Sequence, residues 1–145
     1  MANFIYNEAK RAILAGEIDF ATDDLRIALV MTNTTADTED DVNLMNGFTT
    51  LDEYDGANYA RQAIAGLSIG EDAANNRAEV DGTNSTYASL GAGTRQAQAQ
   101  ILYKHVTDDT DSIPIGYCDT GGFPFDGTGS TVTVNWNAEG ILQLA

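Results

Sequence analysis

The stretch GTRQAQAQILYKHV, from Gly93 to Val106, decides the fold class of this chain. Its Gln, Ala, Leu and Lys residues favour a helix by intrinsic propensity. Its pattern, however, alternates with period two and places five residues on one side: Arg95, Ala97, Ala99, Ile101 and Tyr103. Turn-forming residues flank the stretch, and no Glu-to-Lys pair at helical spacing supports a helix. We therefore predict a strand.

The other side of this predicted strand carries an uncharged polar row, Gln96, Gln98 and Gln100, on a chain otherwise rich in acid. One interpretation is an ordinary solvent face. The other is a face kept free of charge because another subunit lies against it. The three glutamines are therefore candidate interface residues.

Short alternating segments separated by Gly, Asn and Asp recur along the chain. Together with the stretch 93–106, these segments amount to about seven short strands at roughly ten-residue spacing. Besides the stretch 93–106, the segments are 24–32, 58–65 (with a helix as the alternative), 77–80, 85–90, 113–119, 131–136 and 141–144. This pattern predicts one mainly β domain over residues 1–145, a compact antiparallel β-sandwich or barrel.

The two remaining regions are an N-terminal helix segment over 1–16 and an acidic loop over 33–47. Asn3 can cap the helix and Gly16 can end it. Apolar residues recur within it at helical spacing: Phe4, Ile5, Ala9, Ala12 and Ile13. The loop can hold one short buried turn: Val42, Leu44 and Met45.

The charge of the chain restricts its partners. Twenty-two acidic residues against seven basic ones give a net charge of −15, which repels phosphate backbones and anionic membranes. We therefore expect no nucleic-acid partner and no membrane partner. Charges at Glu8, Lys10 and Arg11 interrupt the apolar run that a signal peptide needs, and the lone Cys118 suits a reducing compartment. These features predict a protein made in a cytoplasm.

No motif predicts a catalytic residue, a cofactor or a metal. The acidic runs 37–41 and 107–112 offer oxygen ligands for calcium but lack the Gly and Glu spacing of an EF-hand. We interpret them as solvated turns, with bound calcium as the alternative. His105 and Cys118 are the only residues of their types, and no oxyanion-loop motif accompanies them. We expect a structural histidine, a half-buried thiol and no enzyme.

Aromatic residues supply two further candidate contacts. Phe123 and Phe125 flank a proline in GGFPFDG. This loop is either pinned by its rings in the core or an exposed apolar tip that inserts into a partner. The second candidate contact is the N-terminal run: Phe4, Ile5 and Tyr6.

Three stretches together resemble small virion proteins of tailed bacteriophages, the head decoration or capsid cement proteins. They are FTTLDEYDGANYARQ, LGAGTRQAQAQILYKHVTDDTDSIPIGYCDTGG and VTVNWNAEGILQL. The resemblance runs from about residue 3 to the end of the chain. It implies a non-enzymatic protein on the outer head surface that binds the major capsid protein, bridges its subunits and stabilises the shell. It also implies many copies per virion, as dimers or trimers, made in the host cytoplasm.

The sequence is also compatible with other functions. A head–tail connector, a tail component or a fibre-base component would share the virion origin. A free carbohydrate-binding β-sandwich is the candidate from another class. Trp136 lies on the apolar side of its predicted strand with Val132 and Val134, which argues against a sugar-stacking platform.

Overall fold

A computed structural model describes residues 3–145, and these residues form a mainly β protein with 34% strand and 8% helix. The sheets are antiparallel and compatible with a β-sandwich, which confirms the predicted fold class. The described residues contain one helix, α1 (Asn7–Leu14), and a short 3-10 turn, Met45–Gly47. The strands are β1 (Phe4–Ile5), β2 (Leu25–Met31), β3 (Gln62–Ala63), β4 (Ser68–Asp72), β5 (Arg77–Asp81), β6 (Ser85–Tyr87), β7 (Ala97–Lys104), β8 (Ile113–Cys118), β9 (Val132–Val134) and β10 (Leu142–Leu144).

The strands form three sheets. The largest has the order β1-β8-β7-β2-β3, and the others are β10-β5-β4 and the pair β6-β9. The stretch 93–106 contains β7, so the prediction of a strand there is confirmed. It pairs with β2 on one side and β8 on the other. This pairing on both sides overrides its helical propensity, which is only a weak preference.

The five-stranded sheet lies between two hydrophobic cores. The first core packs one face against α1 and the two smaller sheets, through residues that include Ala9, Ile27, Val80 and Val134. The second core packs the other face against the segment 33–47 and the residues that follow it. It contains the following buried residues: Tyr6, Ala28, Val30, Ala36, Met45, Phe48, Ala99, Ile101, Tyr103 and Tyr117.

A bulge in β7 changes which side chains share a face. Val30 pairs with Ala99 and Met31 with Ala97, so Gln98 is the extra residue. Ala97 therefore belongs to the first core and Ala99 to the second. The prediction that these two alanines lie on one side is wrong, because alternation counts residues and a bulge shifts the count by one.

A second irregularity lies in β8. Leu102 pairs with Gly116 and Tyr103 with Pro114, which leaves Ile115 as the extra residue. Ile115 packs in the first core and Tyr117 in the second. Ile115 and Tyr117, two positions apart, therefore lie on opposite faces of the sheet for the same reason as Ala97 and Ala99 in β7.

The N-terminal segment differs from the prediction at its start. Residues 1 and 2 of the predicted segment lie outside the described residues. Phe4 and Ile5 form β1, and α1 begins at Asn7 after Tyr6, so Asn3 is not its cap. Pairing of Phe4 with Tyr117 in the sheet takes precedence over helical spacing. Gly16, at φ 72°, follows the helix end as predicted.

The acidic segment 33–47 is held against the second core. Ala36 and Met45 are fully buried, while Val42 and Leu44 are half-buried. The main-chain N–H of Met45 donates to Ser112 at 2.9 Å, and that of Asn7 donates to a carbonyl of the segment at 2.9 Å. The segment thus covers one face of the large sheet.

One predicted strand needs a large correction in extent, and one strand of the structure was missed. The predicted strand 58–65 is reduced to Gln62–Ala63. The preceding residue, Arg61, forms ion pairs with Glu53 and Asp109 in place of a strand position. The strand Ser68–Asp72 was not predicted, since its first four residues are exposed and show no alternation of burial.

Candidate functional site: an uncharged groove between two sheet edges

A groove of about 330 Å³ lies between the largest sheet and the three-stranded sheet. One side is formed by β1 and β8, the other by β10 and the turn before it. Both β1 and β10 are outermost strands, each paired on one side alone. We call this groove the edge groove; it is lined by Asn3, Phe4, Ile5, Leu102, Gly116, Tyr117, Cys118, Thr120, Trp136, Asn137, Gly140, Ile141, Leu142 and Gln143.

The edge groove has an apolar base and half-buried walls. Leu102 and Leu142 are 4% and 6% exposed and belong to the first core. Ile5 stands in one wall, and Trp136 and Ile141 in the other; all three are half-buried. Each therefore keeps some surface that a bound partner could cover.

The lining of the edge groove carries no charge. None of its residues is Asp, Glu, Lys or Arg, although these four types make up 20% of the chain. Depletion of charge is typical of the buried centre of protein interfaces. The edge groove therefore stands out chemically from a molecule whose net charge is −15.

The β1 wall is fixed by contacts at both ends of the strand. Asn3 and Asp119 exchange two hydrogen bonds of 3.1 Å, and the Phe4 ring stacks on Tyr117 at 5.7 Å. The N–H of Tyr6 donates to a carbonyl of β8 at 3.0 Å. Because hydrogen-bonded pairs alternate along antiparallel strands, the main-chain N–H and C=O of Ile5 point away from β8.

The opposite wall is fixed around Trp136. Its main-chain N–H donates to Asn84 Oδ1 and its indole Nε1–H donates to the carbonyl of Thr83, both at 3.0 Å. The turn that follows closes with a 3.0 Å bond from Gly140 N–H to Asn137. Gly140 has φ 97°, and a Cβ there would lie 2.9 Å from a carbonyl oxygen of β5, so this turn requires glycine.

The N-terminal candidate contacts divide between groove and core. Phe4 and Ile5 line the edge groove and are half-buried. Tyr6 is fully buried, and its hydroxyl donates to the carbonyl of Ala36 at 2.8 Å. The burial raises the pKa of Tyr6 far above its ordinary value. Tyr6 as a contact residue is therefore a wrong prediction.

The three glutamines do not form one row. Gln96 is exposed, while the half-buried Gln98 places its amide nitrogen 3.3 Å from the Tyr117 hydroxyl. Gln100 is 1% exposed and points, like Leu102, towards the first core side of the sheet. The bulge at Gln98 separates them, so the predicted common face is wrong and Gln100 cannot touch a partner.

Gln100 has an unusual environment. Within residues 3–145, no protein group forms a hydrogen bond with either polar atom of its side-chain amide. Its strand neighbours across the sheet are Leu29 and Cys118. A buried amide without a partner lowers stability.

The aromatic loop 121–127 matches the interpretation that its rings pin it to the core, and not that of an exposed tip. The Phe123 and Phe125 rings lie 5.2 Å apart, are half-buried and pack against the first core. The main chain of Phe125 exchanges hydrogen bonds of 2.8 and 3.0 Å with Ala97. The loop is therefore pinned to the end of β7 by its rings and its backbone.

Two carboxylates of the acidic run 107–112 accept hydrogen bonds within their own turn. Asp108 accepts the N–H and hydroxyl of Thr110, and Asp111 accepts two main-chain N–H groups. These bonds hold the pKa of both carboxyls below the ordinary value. In the described part of the chain, no group of three or more His, Cys, Asp or Glu residues is arranged to hold a metal.

His105 and Cys118 lie apart. His105 follows β7 and packs edge-on against Tyr103 at 6.2 Å. Cys118 pairs with Gln100, five residues back along β7, which is roughly 16 Å at the rise of a strand. They cannot form a nucleophile–base pair in this arrangement.

Most basic side chains are neutralised within the molecule. The half-buried Arg61 bridges Glu53 at 2.7 Å and Asp109 at 2.5 Å and lies 5.2 Å above the Tyr103 ring. Five other basic residues also form ion pairs: Arg11, Arg26, Arg77, Arg95 and Lys104. The surplus acids therefore determine the charge that an approaching partner meets.

Among the described residues, no helix is long and apolar enough to cross a membrane. The chain matches no family model, no curated protein and no solved structure.

Proposed function

We propose that this protein is a non-enzymatic structural protein of a tailed-bacteriophage virion. In this proposal it decorates the outer head surface, binds the major capsid protein and bridges neighbouring subunits. The observation that carries the proposal is the uncharged, partly apolar edge groove on a strongly acidic molecule. The sequence resemblance supplies the class of particle, and the edge groove supplies a surface suited to a protein partner.

The physical basis is a separation of charge and apolar surface. Covering half-buried side chains such as Ile5 and Trp136 would contribute roughly 25 cal/mol per Å² of apolar area. The surplus of acidic residues opposes contact with DNA, as expected of a protein on the outside of a head. Negative charge also keeps many free copies soluble before assembly.

Stabilisation of the shell would follow from mass action. A protein that binds the mature shell but not its disassembled subunits shifts the equilibrium towards the shell. Dimers or trimers of the protein at local symmetry axes would place several such contacts side by side. Each copy would then oppose the separation of the subunits that it bridges.

Electron cryo-microscopy of the parent particle tests this proposal. We expect density for the protein at many symmetry-related positions on the outer head surface, with the edge groove facing the capsid protein. Density confined to one vertex or to the tail would overturn the decoration role and favour a connector, tail or fibre-base component. Unchanged heat resistance of filled heads made without the protein would overturn its stabilising role.

A further inference from the structure

We propose that the edge groove binds one extended segment of the partner protein, which adds as a strand along β1. The segment presents apolar side chains at alternate positions and basic residues at its ends. This inference rests on the proposed function for the identity of the partner, the major capsid protein. The mode of binding follows from the edges, main-chain groups and charge at the groove.

The sheet edges at the groove are open to pairing with another strand. Soluble proteins protect open edges with charged residues, proline or a covering segment. β1 consists of Phe4–Ile5 and β10 of Leu142–Leu144, and neither contains a charge or a proline. The open edge at β4, in contrast, carries Glu71 and Asp72. The two edges at the groove are therefore unprotected, as are the short strands β3, β6 and β9, and β1 and β10 are the two that border the edge groove.

The main chain of β1 has hydrogen-bonding groups that face away from β8. The hydrogen bond from Tyr6 to β8 sets the alternation, so the N–H and C=O of Ile5 face outwards. These groups can pair with an added strand, which gains affinity from its main chain and specificity from alternate side chains. A segment of about five residues is the usual length of a strand.

The edge groove restricts the side chains that an added segment can carry. Every second side chain of a strand points to the same face. Those on the groove side would lie beside Ile5 and face Trp136 and Ile141 in the opposite wall. Since the groove lining has no charge, charged side chains at these positions would lose hydration without gaining an ion pair. The inward positions therefore select Val, Ile, Leu or Thr.

The net charge of the molecule restricts which protein can supply the segment. A second copy of this chain would bring another −15 to the contact, and like charges oppose association. A segment with Lys or Arg at its ends would instead be attracted towards the surrounding acids. The occupant is therefore a segment of a different protein.

The chain carries two reporters of this binding. Trp136 and Cys118 are the single tryptophan and the single cysteine, and both line the edge groove. A bound strand should change the emission of Trp136 and slow alkylation of the half-buried Cys118 thiol. Both signals come from the proposed site.

The test is titration of the intact protein with KVTVTVK, a peptide blocked at both ends, at low salt. Two further peptides serve as controls: the same sequence N-methylated at each central residue, and its counterpart EVTVTVE. We expect KVTVTVK to shift Trp136 emission and slow Cys118 alkylation at least about tenfold. The N-methylated peptide should do neither, and EVTVTVE should bind at least about tenfold more weakly. The proposal is overturned if KVTVTVK produces neither effect at about 1 mM, or if either control peptide binds equally well.

Variants locate the binding. Thr120 is exposed and lines the groove, so Thr120→Arg should block the peptide by bulk and like charge without disturbing the core. Thr131 is also exposed but lies outside the groove, and Thr131→Arg is the matched control. Equal peptide binding by both variants would place the site elsewhere and overturn the proposal.

The two proposals fail separately. A protein that decorates heads through another surface, with no peptide binding, refutes strand addition alone. A protein that binds KVTVTVK in the groove but is absent from the head surface refutes the decoration role alone.

Discussion

Asn3 and Asp119 exchange two hydrogen bonds of 3.1 Å across 116 residues of sequence. The Asn3 amide donates to the Asp119 carboxylate, and the main-chain N–H of Asp119 donates to the Asn3 amide oxygen. Asp119 is 5% exposed. This reciprocal contact joins the start of β1 to the end of β8 and fixes one wall of the edge groove.

Asn3→Ala should lower the free energy of unfolding by about 1–3 kcal/mol, because it removes a partner from the buried Asp119. Urea titration monitored by circular dichroism measures the loss. Asn43→Ala, at an exposed position of the acidic loop, is the control and should change stability by less than about 0.5 kcal/mol. Equal stability of the two variants would contradict a structural role for the Asn3–Asp119 contact.

Gln100→Leu should raise the free energy of unfolding by about 1 kcal/mol, because it removes a buried amide without a protein hydrogen-bond partner. Thermal and urea unfolding both measure this. Gln98→Leu is the control and should give no gain, because the Gln98 amide is half-exposed and bonded to Tyr117. A loss of stability in Gln100→Leu would show that the amide has a stabilising role.

Arg61→Lys should lower the free energy of unfolding by about 1–3 kcal/mol although it keeps the charge. Lysine cannot bridge Glu53 and Asp109 with a planar fork or stack in the same way on Tyr103. Hydrogen exchange should accelerate in the turn 107–112, which Arg61 ties to the sheet. Arg26→Lys, which alters a more exposed pair with Asp24, should have a smaller effect, and an equal effect would contradict the account.

High pH should unfold the protein through its buried tyrosines. Burial raises the pKa of Tyr117 to about 12 and the pKa values of Tyr6, Tyr59 and Tyr87 further. The pKa of a tyrosine in the unfolded chain is about 10, and the folded-state values lie above it. These tyrosines therefore contribute their full stabilisation to the fold below about pH 10. That stability is lost as the pH rises through the folded-state values.

Tyrosinate absorbance and circular dichroism, recorded together as the pH rises, test this expectation. Because burial raises the pKa values of all six tyrosines, we expect them to ionise above about pH 10 and together with loss of the fold. Ionisation of all six tyrosines near pH 10 in a folded protein would contradict the burial of their hydroxyl groups.

The fold class could be predicted because the signals behind it are local. The segment 131–136 alternates cleanly between polar and apolar residues, and the turns around β7 leave room for a strand. Side-chain direction within β7 could not be predicted, since the bulge at Gln98 depends on pairing with Val30 and Met31. The strand β4 was missed because it lies exposed at a sheet edge and buries no alternating face.

The candidate site was predictable only in part. Phe4 and Ile5 stood out as apolar residues near the start of the chain, and both line the edge groove. Leu102 and Ile141 were missed, because the groove brings together segments that are distant in sequence. The turn Asn137–Gly140 offered one signal, since a glycine after a tryptophan-bearing strand indicates a tight turn beside that ring.

The most direct test of the central claim is rebinding of purified protein to heads of the parent phage assembled without it. Wild type and Leu14→Asp should saturate the heads equally, because Leu14 is 90% exposed and lies outside the edge groove. Ile5→Asp and Thr120→Arg, each first shown to be folded, should bind at least about tenfold more weakly. Full occupancy by both groove variants would contradict the claim that the edge groove is the surface that binds the head.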